Sequence, residues 1–442
     1  MKQTFTHTYL VLLLMLAASC TPEIEPPVLS SGSLDFSRFI AVGDGFTAGV
    51  MNAPVMPTGP RGGLYPGGQQ YSFPNLIAAK AQEASGTVPF HQPEFPTEGS
   101  GFSLLSGFRQ ECSEGKAIPT YSHTLPTSTS WRSKENSGEE IRNWGIPGMR
   151  LADIQNPDSC KNNPYMWRLL EEGSITDETH YSQVLLGQQP SFFTFWMGTK
   201  DFLNYGYFGG VLFSSAPPSP AISRLNFSSL IQQFLQNNPN TKGAVATIPD
   251  ITRFPFFQSV PKTFTHPNRG CEEKPVYITI QVPGIFSRTD TIAARVDDLI
   301  LMSFQDSIGQ GRPHYWGSPE RPIPDKYVLD KEEVSRIRSQ IAAYNQMIRA
   351  EVEAINLEGP RVALVDMAEL FDQEINRGLR QDGLQLSGEH LYGHFFSVDG
   401  IHPCPRGYAV IANYFIQEIN AFFPGTTIPP LTLSNYSGVR FP

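Results

Sequence analysis

Three things are missing from this sequence. Beyond residue 20 no apolar run is long enough to cross a bilayer, so the bulk of the chain is expected to be soluble. No block of Lys or Arg interrupts a chain of formal net charge −9, which argues against nucleic acid as a partner. No two of Cys112, Cys160, Cys271 and Cys404 stand at a short metal-ligand spacing, so neither a metal nor another cofactor is implied. Four such cysteines are compatible with two disulfides in an oxidising compartment, in any of three pairings, and a Cys112 to Cys271 bridge would rigidify a lid.

What the chain does have begins at its start. Lys2, the apolar run Tyr9 to Leu16 and the small residues Ala17, Ala18 and Ser19 before Cys20 have the layout of a signal peptide over residues 1–19. The end of that segment resembles a lipobox. The resemblance implies lipidation of Cys20 and a bacterial envelope protein held to a membrane through that lipid, with the outer membrane, periplasmic or surface side, as the expected location. Residues 20–34, rich in Pro, Ser and Glu, are expected to be the anchor and a tether.

Residues 35–425 are expected to form one large domain, followed by a tail over 426–442. Nearly continuous apolar, β-rich runs recur at Arg38 to Val42, Ile141 to Trp144, Phe192 to Met197, Gly243 to Ile248 and Val362 to Val365. Such runs suit parallel strands covered on both faces. Helical patterns lie between or after them, at Pro74 to Ala84, Leu225 to Gln236, Glu333 to Ile355 and Tyr408 to Phe422. The alternation predicts a doubly wound α/β sandwich. The clearest helix starts at Asp330, with Glu333 completing a capping box. Two segments fit neither pattern, about 83–139 and 253–326, and are read as insertions over one face.

Four short segments fall where ligands bind in open α/β sheets. They are Gly43-Asp44-Gly45-Phe46-Thr47-Ala48-Gly49, Asn143-Trp144-Gly145-Ile146-Pro147-Gly148, Gly198-Thr199-Lys200-Asp201 and Asp399-Gly400-Ile401-His402-Pro403. In order and spacing they resemble the four blocks of the SGNH (GDSL-type) hydrolases. Gly63-Leu64-Tyr65, Ser72-Phe73-Pro74-Asn75-Leu76 and His402 to Tyr408 are similar to a branch found in Bacteroidetes lipoproteins.

The resemblance implies a flavodoxin-like three-layer α/β/α sandwich and an esterase chemistry. In that chemistry a serine attacks the ester carbonyl, a histidine takes its proton and an aspartate orients the histidine. Asp399 and His402 match the aspartate and histidine. The serine position is Gly45, which has no side chain to acylate. The oxyanion hole would draw on the backbone at Gly45, on Gly148 and on an asparagine whose position is Lys200. Losing the nucleophile of a triad costs on the order of a millionfold in turnover. Losing one oxyanion donor costs about a hundred- to a thousandfold.

The expectation is therefore a catalytically degenerate esterase-fold lipoprotein that keeps a pocket for an acyl or glycan ligand. One alternative is an active ester hydrolase in which Asp399 and His402 activate water, and another is a non-catalytic envelope interaction module. Bland roles are weighed for the neighbours: Thr47 as a helix cap, Lys200 with Asp201 as a surface ion pair, and Phe202, Tyr205, Tyr207 and Phe208 as either pocket lining or core.

Overall fold

The computed structural model describes residues 28–53, 63–110, 112, 117–126, 134, 138–170, 173–212, 215–265, 271–282, 288–311 and 313–442. The expected signal segment and Cys20 lie outside the described residues.

Five parallel strands make the central sheet: β1 (Phe39–Gly43), β2 (Asn143–Gly145), β3 (Phe192–Trp196), β4 (Lys242–Ala246) and β5 (Val362–Val365). Their spatial order is β5-β4-β3-β1-β2, which is the flavodoxin-like 2-1-3-4-5 arrangement read from the other edge. β1 and β3 are buried at every position, and this is why their sequences, FIAVG and FFTFW, do not alternate.

Helices cover both faces. On one side α2 (Phe73–Ser85) packs against α6 (Pro405–Phe422), with the rings of Phe73 and Phe415 stacked 4.7 Å apart. On the other, α4 (Pro220–Asn237) packs against α5 (Lys331–Ile355), where Ser223 donates to the Tyr344 hydroxyl and both Arg224 and Ser228 bond the Glu351 carboxylate. The capping box at Asp330 and Glu333 is formed in both directions. The short α1 (Gly45–Ala48) and α3 (Thr199–Tyr207) follow β1 and β3 directly.

The two insertions fold as hairpins laid beside the sandwich. Phe102–Arg109 pairs with Ile118–Thr124 in the first; Thr263–Thr265 pairs with Glu273–Pro275, and Tyr277–Gln281 with Thr289–Ala293, in the second. A Cys112–Cys271 disulfide joins them. The expectation of a second bridge fails. Cys160 and Cys404 are separately buried free thiols, and Cys404 donates to the carbonyl of His394 at 3.1 Å.

Residues 426–442 are docked. Ser30 and Ser31 pair with Thr427 and Thr426, and Asn413 and Asn420 of α6 each bond both backbone groups of a residue in this segment, Leu431 and Ile428. Among them, Ile428, Leu431 and Leu433 are buried.

Candidate functional site

The register of the sheet brings the first three segments together. Gly43 pairs with Gly145 on one side and with Trp196 on the other, so β1, β2 and β3 end side by side. Gly43 must be glycine, because a β-carbon there would lie 1.9 Å from Oγ1 of Thr47. The chain then turns at once into α1. Asp44 caps that helix by accepting from the N–H of Phe46 at 3.0 Å, the role sequence reading had given to Thr47. Thr47 is fully buried, and its hydroxyl has no hydrogen-bond partner among the described residues.

Gly45 is the first residue of α1 and has no positive φ, so no backbone conformation demands glycine here. Its environment is specific. A β-carbon on Gly45 would lie 3.0 Å from Nε2 of His402 and 3.2 Å from Cγ2 of Val50. The residue matching the family's nucleophile thus faces the residue matching its general base.

His402 is held from behind. Its Nδ1 is 2.7 Å from Oδ2 of Asp399, and the other carboxylate oxygen, Oδ1, accepts from the Ser397 hydroxyl and from the N–H groups of Ile401 and His402. Burial alone would push the Asp399 carboxyl up, but the His402 charge and these hydrogen bonds outweigh it and hold the group below the ordinary aspartate value. Gly400, at φ +68, lets the loop turn against the backbone of Phe256. The ring of Phe46 covers the imidazole at 5.0 Å. No described residue hydrogen-bonds Nε2, which is left facing the Gly45 position.

Lys200 sits in the first turn of α3, which starts after Gly198 at φ +108. Its Nζ lies 4.6 Å from the centre of the Tyr207 ring. Burial lowers the ammonium to about 8, with the Asp44 carboxylate acting in the opposite direction. Asp44 is itself pushed up to about 6 by burial, against the pull of the Phe46 N–H and of the charges of His402 and Lys200. Lys200 and Asp44 are therefore neighbours whose charges compensate in part.

The pairing of Lys200 with Asp201 as a surface ion pair is wrong. Asp201 is fully buried and accepts from the N–H groups of Leu151 and Ala152 at 2.8 and 3.1 Å. Lys200 and Asp201 point to different neighbours, as adjacent helical residues do. Asp201 anchors the loop that carries Gly148, a residue at φ +87 beside which Asn163 bonds the carbonyl of Pro147. The side chain of Asn143 ties that loop's strand to α1 by donating to the carbonyl of Thr47 and accepting from the N–H of Gly145. Phe202, Tyr205 and Tyr207 are buried, and Tyr207 alone among them meets Lys200.

Sequence reading gives no role to Asp44 or Asn143 and gives Asp201 only that of a surface partner for Lys200. Asp44 was recoverable, because an aspartate two residues ahead of a free N–H at a strand-to-helix turn is a capping pattern. The other two act through partners about 50 to 100 residues away and leave no local signal.

Three solved structures are similar over almost their whole length, each at low identity. A GDSL-like lipase described as putative, from Parabacteroides merdae, shares 11% identity over 89% of this chain and 99% of its own, with a TM-score of 0.36. A family 3 carbohydrate esterase from Clostridium thermocellum shares 14% over 87% and 98%, with a TM-score of 0.32. An acetyl esterase mutant with acetate ion shares 12% over 87% and 98%, with a TM-score of 0.31. No curated protein sequence matches the chain. The profile of GDSL-like Lipase/Acylhydrolase matches residues 39–415, from β1 to α6, and the chain belongs to that family.

Proposed function

We propose that this protein is a member of the family that no longer forms an acyl-enzyme and instead binds an acylated or acidic ligand at the Gly45, Lys200 and His402 centre. The observation that carries this reading is the bare Cα of Gly45 opposite Nε2 of His402: the base and its orienting carboxylate are in place, and the group they would deprotonate is absent. Gly148 and the backbone at Gly45 remain as hydrogen-bond donors, and Lys200 adds a cation where the family uses a neutral amide. A cation suits a carboxylate better than it suits a neutral ester. The test is titration of the purified chain from Thr21 onward with acetate and with a short acyl ester, followed by the His402 ring resonances. The reading expects saturable shifts that Lys200→Met weakens for acetate, with no release of acid from the ester. Rapid turnover of the ester would overturn it.

One observation favours a second reading. The position 3.0 Å from Nε2 that a β-carbon would fill is at hydrogen-bonding distance for a water, which His402 could deprotonate with Asp399 behind it. That chemistry would be worth about a hundred- to ten-thousandfold by itself. It predicts slow hydrolysis that His402→Ala abolishes and Gly45→Ala, which fills the water position, also suppresses.

For the location, we propose a bacterial envelope protein tethered through lipid on Cys20. The support is the layout of residues 1–20. Cys20→Ala should move the protein from the detergent phase to the aqueous phase on partitioning; unchanged partitioning would remove the anchor from the account.

A further inference from the structure

A cavity lies against Met51 and Asn52, which follow α1 in sequence, and against Val398. It has a volume of about 550 Å³, in the range of small-molecule sites, and its walls come from three places far apart in sequence. Tyr65 and the residues around Met51 form one wall. The first insertion supplies Phe102, whose ring stacks on Tyr65 at 4.2 Å, and Leu105. Val398, next to Asp399, and Val439 close it.

The chemistry of the lining is one-sided. Among the described residues its side chains include no Asp or Glu and one cation, Arg440, which makes no ion pair with another of them. The rest is aliphatic and aromatic, with a few amides and hydroxyls. The mouth is apolar too: Leu104 is 47% exposed and Phe441 41%, and the Phe441 ring stacks on Phe108 and Tyr392, which are also exposed. Isolated exposed apolar residues need no explanation, but four gathered at the mouth of an apolar cavity mark a binding surface.

We propose that this cavity is a binding site for a single-chain amphiphile with an anionic head, its hydrocarbon chain between Phe102, Leu105 and Val398 and its head at Arg440. A cationic head would be repelled by Arg440, and a strongly polar ligand such as a sugar would leave most of its hydroxyls facing carbon. Occupancy is also wired toward His402. The side-chain amide of Asn52, a lining residue, donates to the Tyr65 hydroxyl at 3.1 Å, and its backbone N–H donates to the Ser397 hydroxyl at 3.0 Å. Ser397 in turn donates to Asp399 at 2.8 Å. Gly45, Lys200 and His402 are not among its lining residues, and the proposal does not rest on the function proposed for them.

The experiment uses the chain from Thr21 onward and dodecanoate below its aggregation concentration, followed by calorimetry, with dodecyltrimethylammonium as the opposite-charge probe and vesicles containing anionic lipid as a third arm. Leu104→Glu and Arg440→Glu alter exposed side chains and leave the core intact. Each should weaken dodecanoate binding by about tenfold or more. Dodecanoate also carries the carboxylate proposed for the Lys200 centre, so it is titrated in the Lys200→Met background as well, where Leu104→Glu and Arg440→Glu should still weaken it; the cationic probe should bind far more weakly. Equal loss of binding in Lys200→Met with no effect of Leu104→Glu or Arg440→Glu would assign the dodecanoate to the other centre and overturn the proposal. Binding to vesicles without binding of the monomer would make the apolar mouth a membrane contact, and that also overturns it. Unaltered melting of the two Glu variants excludes unfolding as the cause of a loss.

Discussion

Nε2 of His402 faces the Cα of Gly45 so closely that a β-carbon added there would lie 3.0 Å away, with Val50 crowding the other side at 3.2 Å. This contact fixes what a restored serine would meet. The backbone at Gly45 accepts any residue, but the imidazole and Val50 must yield by a few tenths of an ångström. Gly45→Ser should therefore fold, with a destabilisation of about 1–3 kcal/mol typical of mild overpacking. Urea unfolding checks it. A loss well beyond that range would mean the loop of His402 is too rigid to readmit a side chain.

Anion binding at the Lys200 centre should follow the charge of that residue. Its ammonium is lowered to about 8, so the cation is present below that pH and lost above it. Acetate affinity should be high near pH 7 and fall as pH rises through about 8. Protonating Asp44, which burial has pushed up to about 6, removes a competing carboxylate, so affinity should rise further as pH falls through 6. Calorimetry across pH 5 to 9 reads both steps, and Lys200→Met should flatten the upper one.

Stability should rise on mild acidification. Burial pushes Asp44 to about 6, Asp201 to about 7 and Glu333 to about 8, all above their unfolded values. A carboxyl with a raised folded pKa holds a proton in the native state that the unfolded chain gives up. Its stabilisation is complete below the unfolded value and is lost as pH rises through the folded value. Between pH 8 and about 4 these three groups therefore favour the fold as acid is added. Asp399, lowered rather than raised, opposes them only below the ordinary aspartate range. The melting temperature should climb from pH 8 to pH 5, and Glu333→Gln should reduce the slope at its upper end.

Asp201 should prove a structural keystone for the Gly148 loop. Asp201→Ala leaves the N–H groups of Leu151 and Ala152 unpaired in a buried place, which should cost about 2–5 kcal/mol. Asp201→Asn keeps an acceptor and should cost less. Chemical denaturation of the two variants separates this role from a surface ion pair, for which both changes would be nearly neutral.

Among the described residues the chain should carry one disulfide and two unreactive thiols. Non-reducing peptide mapping should find Cys112 joined to Cys271, with Cys160 and Cys404 free and slow to alkylate, since burial pushes both thiols up to about 11. Removing the bridge, whose ends are 159 residues apart, should cost about 2–5 kcal/mol.

The sheet was legible because each of its strands is a continuous apolar run. All five begin and end within two residues of the expected positions; β4 ends at Ala246, and Ile248, though buried, bonds the side chain of Asn345. The helices α5 and α6 were legible from their spacing and, in α5, from its capping box. The hairpins of the insertions were not, because their strands are largely half-buried or exposed and interrupt their apolar residues with Ser, Thr, Gly and Pro. The docking of residues 426–442 depends on amides of Asn413 and Asn420, which look like ordinary surface residues in a helical pattern. At the site, Gly45, Asp399 and His402 were named from their motifs, whereas the burial of Asp201 and the compensation of Lys200 by Asp44 depend on which loops the fold stacks together.

The most direct test of the central claim is hydrolysis of a short acyl ester by the native chain from Thr21 onward, beside Gly45→Ser and the double variant Gly45→Ser, Lys200→Asn. The account predicts a silent native protein and a double variant that gains turnover, and that this gain disappears when His402→Ala is added. Native turnover that His402→Ala abolishes would contradict it, and would make the glycine the seat of a water rather than the trace of a lost nucleophile.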